Sequence, residues 1–148
     1  MSDSYLRLIP QDPGRLPDED PIAFALRLIR EWFPDMDVSH RKSADIAFID
    51  PGENFERVGC PHCGADVAEP WAAWMEEAYA SAFRQRTVVV PCCGLREDLN
   101  DLRYQWPAGF AQFVIEIGPR TERFLAAAEI GQLEESLGCS IRQVMTRV

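Results

Sequence analysis

Four of the five cysteines fall in two tight groups, Cys60-Pro-His-Cys63 ahead of Gly64, and Cys92-Cys93 between Pro91 and Gly94. Two thiolates separated by two residues can point at one cation while the amides between them turn toward the sulfurs. A glycine directly after them permits positive φ and close backbone approach. One such pair is a weak sign. A second cysteine pair, also followed by glycine and about thirty residues away, predicts a shared site, because zinc ribbons combine two such pairs. Any fold for this chain therefore has to bring residues 60–64 against residues 91–94.

The second pair departs from the usual spacing. The regular partner of Cys93 would stand three residues earlier, where the sequence has Val90. Cys92 sits beside Cys93 instead, and neighbouring side chains on an extended chain point to opposite faces. Both reach one ion only if the backbone turns sharply, which Pro91 and Gly94 favour. Three arrangements follow. In the first, Cys60, Cys63, Cys92 and Cys93 bind one zinc. In the second, Cys60, Cys63 and one of the vicinal pair bind, with His62 or His40 as the fourth ligand. In the third there is no stable metal, and the thiols are redox-active. The four-thiolate zinc agrees best with ligand spacing. Cys139, after Gly138, reads as a small buried hydrophobe.

The remaining composition narrows the function classes. A length of 148 residues fits a single domain, residues 1–148. A hydrophobic fraction of 47% with 26% charged residues is that of a globular chain. The first twenty residues are the exception, with Pro10, Pro13, Gly14 and Pro17 among acidic side chains. A formal charge of -9 repels phosphates, so nucleic acid is an unfavourable partner and a basic protein surface a favourable one. Met1-Ser2-Asp3-Ser4 lacks a basic leader, and no apolar run approaches a membrane span. The expected location is the cytoplasm, where thiols stay reduced and a cysteine cluster reads as metal-binding before it reads as a disulfide framework.

Along the chain, Tyr5 to Ile9 reads as a strand. A helix over 21–33 shows Ile22, Leu26, Ile29 and Phe33 on one face, with Asp20 as its cap and Pro34 as its stop. Ala44 to Ile49 reads as a short strand. Pro70 opens a helix whose stripe is Trp71, Trp74, Met75, Ala78, Ala82 and Phe83. Thr87 to Val90 is a β-branched strand, and Leu95 to Gly109 is irregular. Phe110 to Ile117 alternates, with Phe113, Ile115 and Ile117 on one face and Gln112 and Glu116 on the other. A helix over Ala128 to Leu137 ends at Gly138, and Arg142 to Val148 is the last strand. No internal repeat is visible. With the middle set aside, the order is strand, helix, strand, then strand, helix, strand. That order predicts an α+β fold, a ferredoxin-like α/β sandwich (βαβ-βαβ), with residues 55–100 as a zinc-ribbon-like insertion containing one helix. Trp71, Trp74, Tyr104 and Trp106 are expected to build the small core that such an insertion needs.

Pro91-Cys-Cys-Gly94, then Leu99-Asn-Asp-Leu-Arg-Tyr104, then Trp106-Pro-Ala-Gly-Phe-Ala-Gln-Phe113, resembles a small bacterial family. Glu134 to Arg142 looks similar too, so the resemblance covers most of the second half. It implies a bacterial, cytosolic protein and carries no catalytic residues. Some members of that family are labelled transporter ATPases. This chain has no Gly-x-x-x-x-Gly-Lys-Ser/Thr loop, and the label is rejected on that ground.

Enzyme classes find little support. Neither His40 nor His62 is followed two residues later by Glu, so the His-x-Glu half of a zinc deaminase is missing, and there is no His-Glu-x-x-His helix. The reading that remains is a zinc-stabilised binding module for protein–protein interaction, not an enzyme. The alternative is a thiol redox or metal-sensing protein that uses the vicinal cysteines.

Overall fold

A computed structural model describes residues 2–148. Its architecture is α+β, with three helices and antiparallel sheets. Four strands form the main sheet: β1 (Ser4–Pro10), β2 (Asp37–Ile49), β7 (Gly109–Gly118) and β8 (Ile141–Arg147), in the spatial order β2-β7-β1-β8. Every neighbouring pair is antiparallel, with Leu6 opposite Ile117 on one side and Met145 on the other.

Helices α1 (Glu19–Trp32) and α3 (Ala127–Leu137) cover one face of this sheet. The alternation read in β7 explains why. Phe113, Ile115 and Ile117 join Leu6, Leu8 and Met145 beneath Ile22, Leu26 and Ile29 of α1 and Leu133 and Leu137 of α3. A smaller group, Ile9, Ala111, Val114 and Val144, lies apart from that core and packs with Ile49. Asp20 is not the cap of α1. Asp18 holds that position without a side-chain cap bond, and Glu19 and Asp20 lie in the first turn, where acids suit the helix dipole. Gly138 ends α3 in the left-handed region at φ +73°, its N–H reaching the Glu134 carbonyl. The proline-rich start is ordered: β1 runs through Pro10, and Pro13 and Pro17 are buried.

β2 is about twice the length its apolar part suggests. Its first half, Asp37 to Lys42, is polar because it lies at the sheet's edge and is mostly exposed. The pairing register shifts between Lys42 and Ala47, and the Gln112 amide spans the irregularity, donating to the carbonyls of Ser43 (3.1 Å) and Ala44 (2.9 Å).

Between β2 and β7 the chain leaves the main sheet and builds a second core. Here lie β3 (Arg57–Gly59), α2 (Ala68–Tyr79), β4 (Thr87–Val89), β5 (Arg96–Asp98), a 3₁₀ turn (Leu99–Asp101) and β6 (Arg103–Gln105). β3 pairs with β6, and β4 with β5. The stretch expected to be irregular thus holds two strands, each three residues long and too short to show alternation. Helix α2 begins at Ala68 rather than Pro70, with Asp66 Oδ1 accepting its first N–H at 2.8 Å. It stops at Tyr79. Ala82 and Phe83 then take positive φ values of 55° and 59°, which folds Phe83 back until its N–H meets the Ala78 carbonyl. The second core gathers Val58, Cys60, Val67, Ala78, Phe83, Val90, Leu99 and Tyr104, with Trp71 and Trp74 against it. It joins the main sheet through Phe110 of β7 and Phe48 of β2, whose ring centroids are 5.0 Å apart.

Candidate metal centre

Two backbone turns of one design present the four cysteines. In the first, which follows β3, the Cys60 N–H donates to the Ala65 carbonyl (2.8 Å) and the Gly64 N–H returns to the Cys60 carbonyl (2.9 Å). In the second, which follows β4, the Val90 N–H donates to the Leu95 carbonyl (3.0 Å) and the Gly94 N–H to the Val90 carbonyl (2.8 Å). Gly64 and Gly94 close the turns at φ +77° and +68°, where a side chain would be strained. The bridge Gly59–Asp66 in the first unit corresponds to the Val89–Arg96 pair in the second. The units match residue for residue, thirty positions apart. This repeat is hidden in the sequence because the aligned turns share only proline, the second cysteine and glycine.

The correspondence resolves the irregular spacing. Val90 takes the place of Cys60, and both side chains are fully buried at 0% exposure. Cys93 takes the place of Cys63, and Cys92 that of His62, at the apex of the turn. The sharp turn lets both vicinal side chains point into the space between the units. The ligand sulfurs of Cys60, Cys63, Cys92 and Cys93 all lie within 4.8 Å of one another, a group able to hold one metal ion. Cys60 and Cys93 Sγ are 3.9 Å apart.

The electrostatics of the group favour a cation. Burial opposes ionisation of Cys60, but the amides of Cys63 and His62, aided by the thiols of Cys92 and Cys63, outweigh it and bring its pKa down to about 6. Cys93 moves oppositely, pushed up to about 12 by its hydrogen bond with Cys63 and then by desolvation. Burial first, then Cys63 and Cys60, raise Cys92 as well. One thiolate is easily held there, and each further negative charge is resisted by those already present. A divalent cation removes that conflict and keeps the sulfurs deprotonated.

The two histidines stand elsewhere. His62 turns its Nε2 to Glu97 on β5, forming a contact between the two units that sequence reasoning missed, since nothing in the spacing links the pair. His40 lies on β2, its ring 6.2 Å from that of Phe113. Glu53, four residues before β3, faces Arg147 of β8 at 3.8 Å. Cys139 packs partly buried against the main core. The aromatics divide: Trp71 donates from Nε1 to the Tyr104 hydroxyl (3.3 Å) inside the second core, whereas Trp106 stacks on Phe124 at the surface, 36% and 39% exposed. Among the described residues no helix is long and apolar enough to cross a membrane.

No protein-family model matches the chain, and no curated protein does. Among solved structures there is a likeness to a chain in the crystal structure of a Csm1-Csm4 cassette in complex with pppApApA, at 16% identity over 99% of this chain and 71% of that one. Its TM-score is 0.27, too low for any fold or functional argument.

Proposed function

We propose that the protein is a binding module for another protein, in which one structural zinc ion pins a ribbon-like insertion to a ferredoxin-like frame. The observation that carries this reading is the convergence of four sulfurs from two turns with the same backbone hydrogen-bond pattern. Thiolates placed tetrahedrally at about 2.3 Å from zinc are about 3.8 Å apart, close to the Cys60–Cys93 separation. The second core supports a structural role for the metal, because Cys60 is one of its buried members. The strand order β2-β7-β1-β8, with both helices on one face, supports the ferredoxin-like assignment.

Four thiolates complete the zinc shell and leave no position for water or substrate, so this reading assigns no catalysis to the metal. The acidic balance favours a basic partner surface, and the stacked Trp106 and Phe124 offer an aromatic contact of the kind enriched in interfaces. The test is metal analysis of freshly purified protein, together with a thiol count before and after chelation. One zinc per chain, with four thiols that become reactive only on chelation, is the expected result. Metal-free protein with a reducible bond among the four cysteines would favour the redox reading instead.

A further inference from the structure

The two turns hold their sulfurs differently, and the difference falls on Cys92. At the first turn, Cys60 is fully buried and its Sγ accepts the His62 amide N–H at 3.4 Å. An N–H···S bond draws charge from a thiolate and lowers its nucleophilicity, as outer-shell donors do in metal sites generally. At the second turn the matching position is Val90, which has no sulfur to receive the corresponding amide. The replacement ligand comes from the apex, and Cys92 is exposed there. Among the described residues, Cys60 is the cysteine whose sulfur accepts a backbone N–H. Cys63, Cys92 and Cys93 are all exposed, and what sets Cys92 apart is its place. Cys63 and Cys93 hold the regular second position of their turns, whereas Cys92 stands at the apex, where the first turn carries His62, which faces Glu97.

Resting on the structural-zinc reading, we propose that Cys92 is the exchangeable ligand of the site, the sulfur at which a hydroperoxide attacks first and from which metal release begins. In the first step the Cys92 thiolate attacks hydrogen peroxide: an S–O bond forms, the O–O bond breaks with hydroxide leaving to be protonated to water, and sulfur loses two electrons to the peroxide. The resulting sulfenic acid is a poor ligand and leaves the metal. Cys63 thiolate, within 4.8 Å, then attacks that sulfur. The S–S bond forms, the S–O bond breaks, and hydroxide departs to be protonated to water. Two ligands are consumed and the metal is freed. The adjacent Cys93 is the less suitable attacker, because a disulfide between neighbours must close through one peptide unit, far from relaxed disulfide geometry.

The experiment uses the full zinc-loaded chain. Zinc content is measured first, and a chain that holds no zinc overturns the structural-zinc reading and this inference together. Loaded protein then receives less than one equivalent of hydrogen peroxide, or of N-ethylmaleimide in a parallel sample. Tandem mass spectrometry resolves Cys92 from Cys93, and a chromogenic chelator follows zinc release. Expected are maleimide labelling of Cys92 above each other member of the four by at least about threefold, and a Cys63–Cys92 disulfide after peroxide. The double variant Val90→Cys, Cys92→Ser restores the spacing of the first turn and should release zinc about fivefold more slowly under peroxide. Labelling that starts at Cys63 or spreads evenly over zinc-loaded protein overturns this inference alone. Unchanged release from a zinc-loaded double variant does the same. If the double variant fails to fold, the labelling order in the natural chain still decides.

Discussion

Arg142 of β8 donates from Nη1 to the Asn100 carbonyl at 2.8 Å and lies 3.2 Å from the Asn100 side-chain oxygen, joining the main sheet to the second core. The same guanidinium reaches the Ala108 carbonyl (2.8 Å) and Gln11 Oε1 (2.7 Å). Asn100 is 4% exposed and uses both ends of its amide, donating to the Gln11 carbonyl (2.9 Å) and accepting the Phe110 N–H (2.9 Å). Neither residue belongs to the four-cysteine group, yet both tie the second core that carries it to the main sheet.

Replacing Asn100 by Ala strands the buried Phe110 N–H and removes a contact from Arg142. The expected cost is about 2–3 kcal/mol, since unpaired buried groups forfeit their full solvation. Urea unfolding followed by tryptophan fluorescence measures it. A midpoint shift corresponding to less than about 0.5 kcal/mol, the usual range for inconsequential surface changes, would contradict the assigned role.

Tyr104 donates its hydroxyl to the Leu99 carbonyl at 2.7 Å within the second core, and burial pushes its phenol far above the ordinary range. Tyr104→Phe should cost about 1–2 kcal/mol, because that carbonyl and Trp71 Nε1 each lose a partner while the ring still fills its space. Zinc stoichiometry should stay unchanged. A variant that loses zinc without losing stability would show that the hydroxyl acts on the metal site rather than on the core.

On the structural-zinc proposal, chelation should destabilise the chain by at least about 3 kcal/mol, on the order of 10 °C in melting temperature for this size. Hydrogen exchange should accelerate first between β3 and β6, while Phe113, Ile115 and Ile117 keep their protection in the main core. Cys60→Ser should act in the same direction. An unchanged melting temperature after verified zinc loss would sink the structural role.

Glu129 supplies the acid-dependent element of α3. Arg123 donates to both its carboxylate oxygens (2.9 and 3.2 Å), the Ala126 N–H donates at 2.8 Å, and the carboxyl pKa is held below its usual 4.5. A depressed folded pKa contributes stability above the unfolded value and loses it as pH falls through the folded one. Natural protein should therefore exceed Glu129→Gln in stability at pH 7 by under about 1 kcal/mol, the contact being partly exposed. The gap should narrow as pH falls below 4.5 and close once pH has passed the lower value at which the folded carboxylate takes up its proton. A gap that persists at pH 3 would show the effect to be packing rather than charge.

The elements legible from sequence were those whose own side chains carry the pattern. β7 shows it through Phe113, Ile115 and Ile117, α1 through Ile22, Leu26 and Ile29, and the end of α3 through Gly138. Cysteine spacing likewise predicted which four residues would meet, since the two pairs and their glycines are written in the sequence itself. Elements defined by their neighbours were not legible. The polar half of β2 is a strand because β7 lies beside it, and β5 and β6 are too short to show a period and exist through β4 and β3. His62 meets Glu97 only because the two turns face each other. The vicinal cysteines show the division most directly. Sequence alone determined that Cys92 and Cys93 could share an ion only at a sharp turn, because side chains alternate on extended backbone. Tertiary structure decided that this turn repeats the one at Cys60, because the hydrogen bonds that shape both run through the backbone and constrain side-chain identity only at the shared proline and glycine.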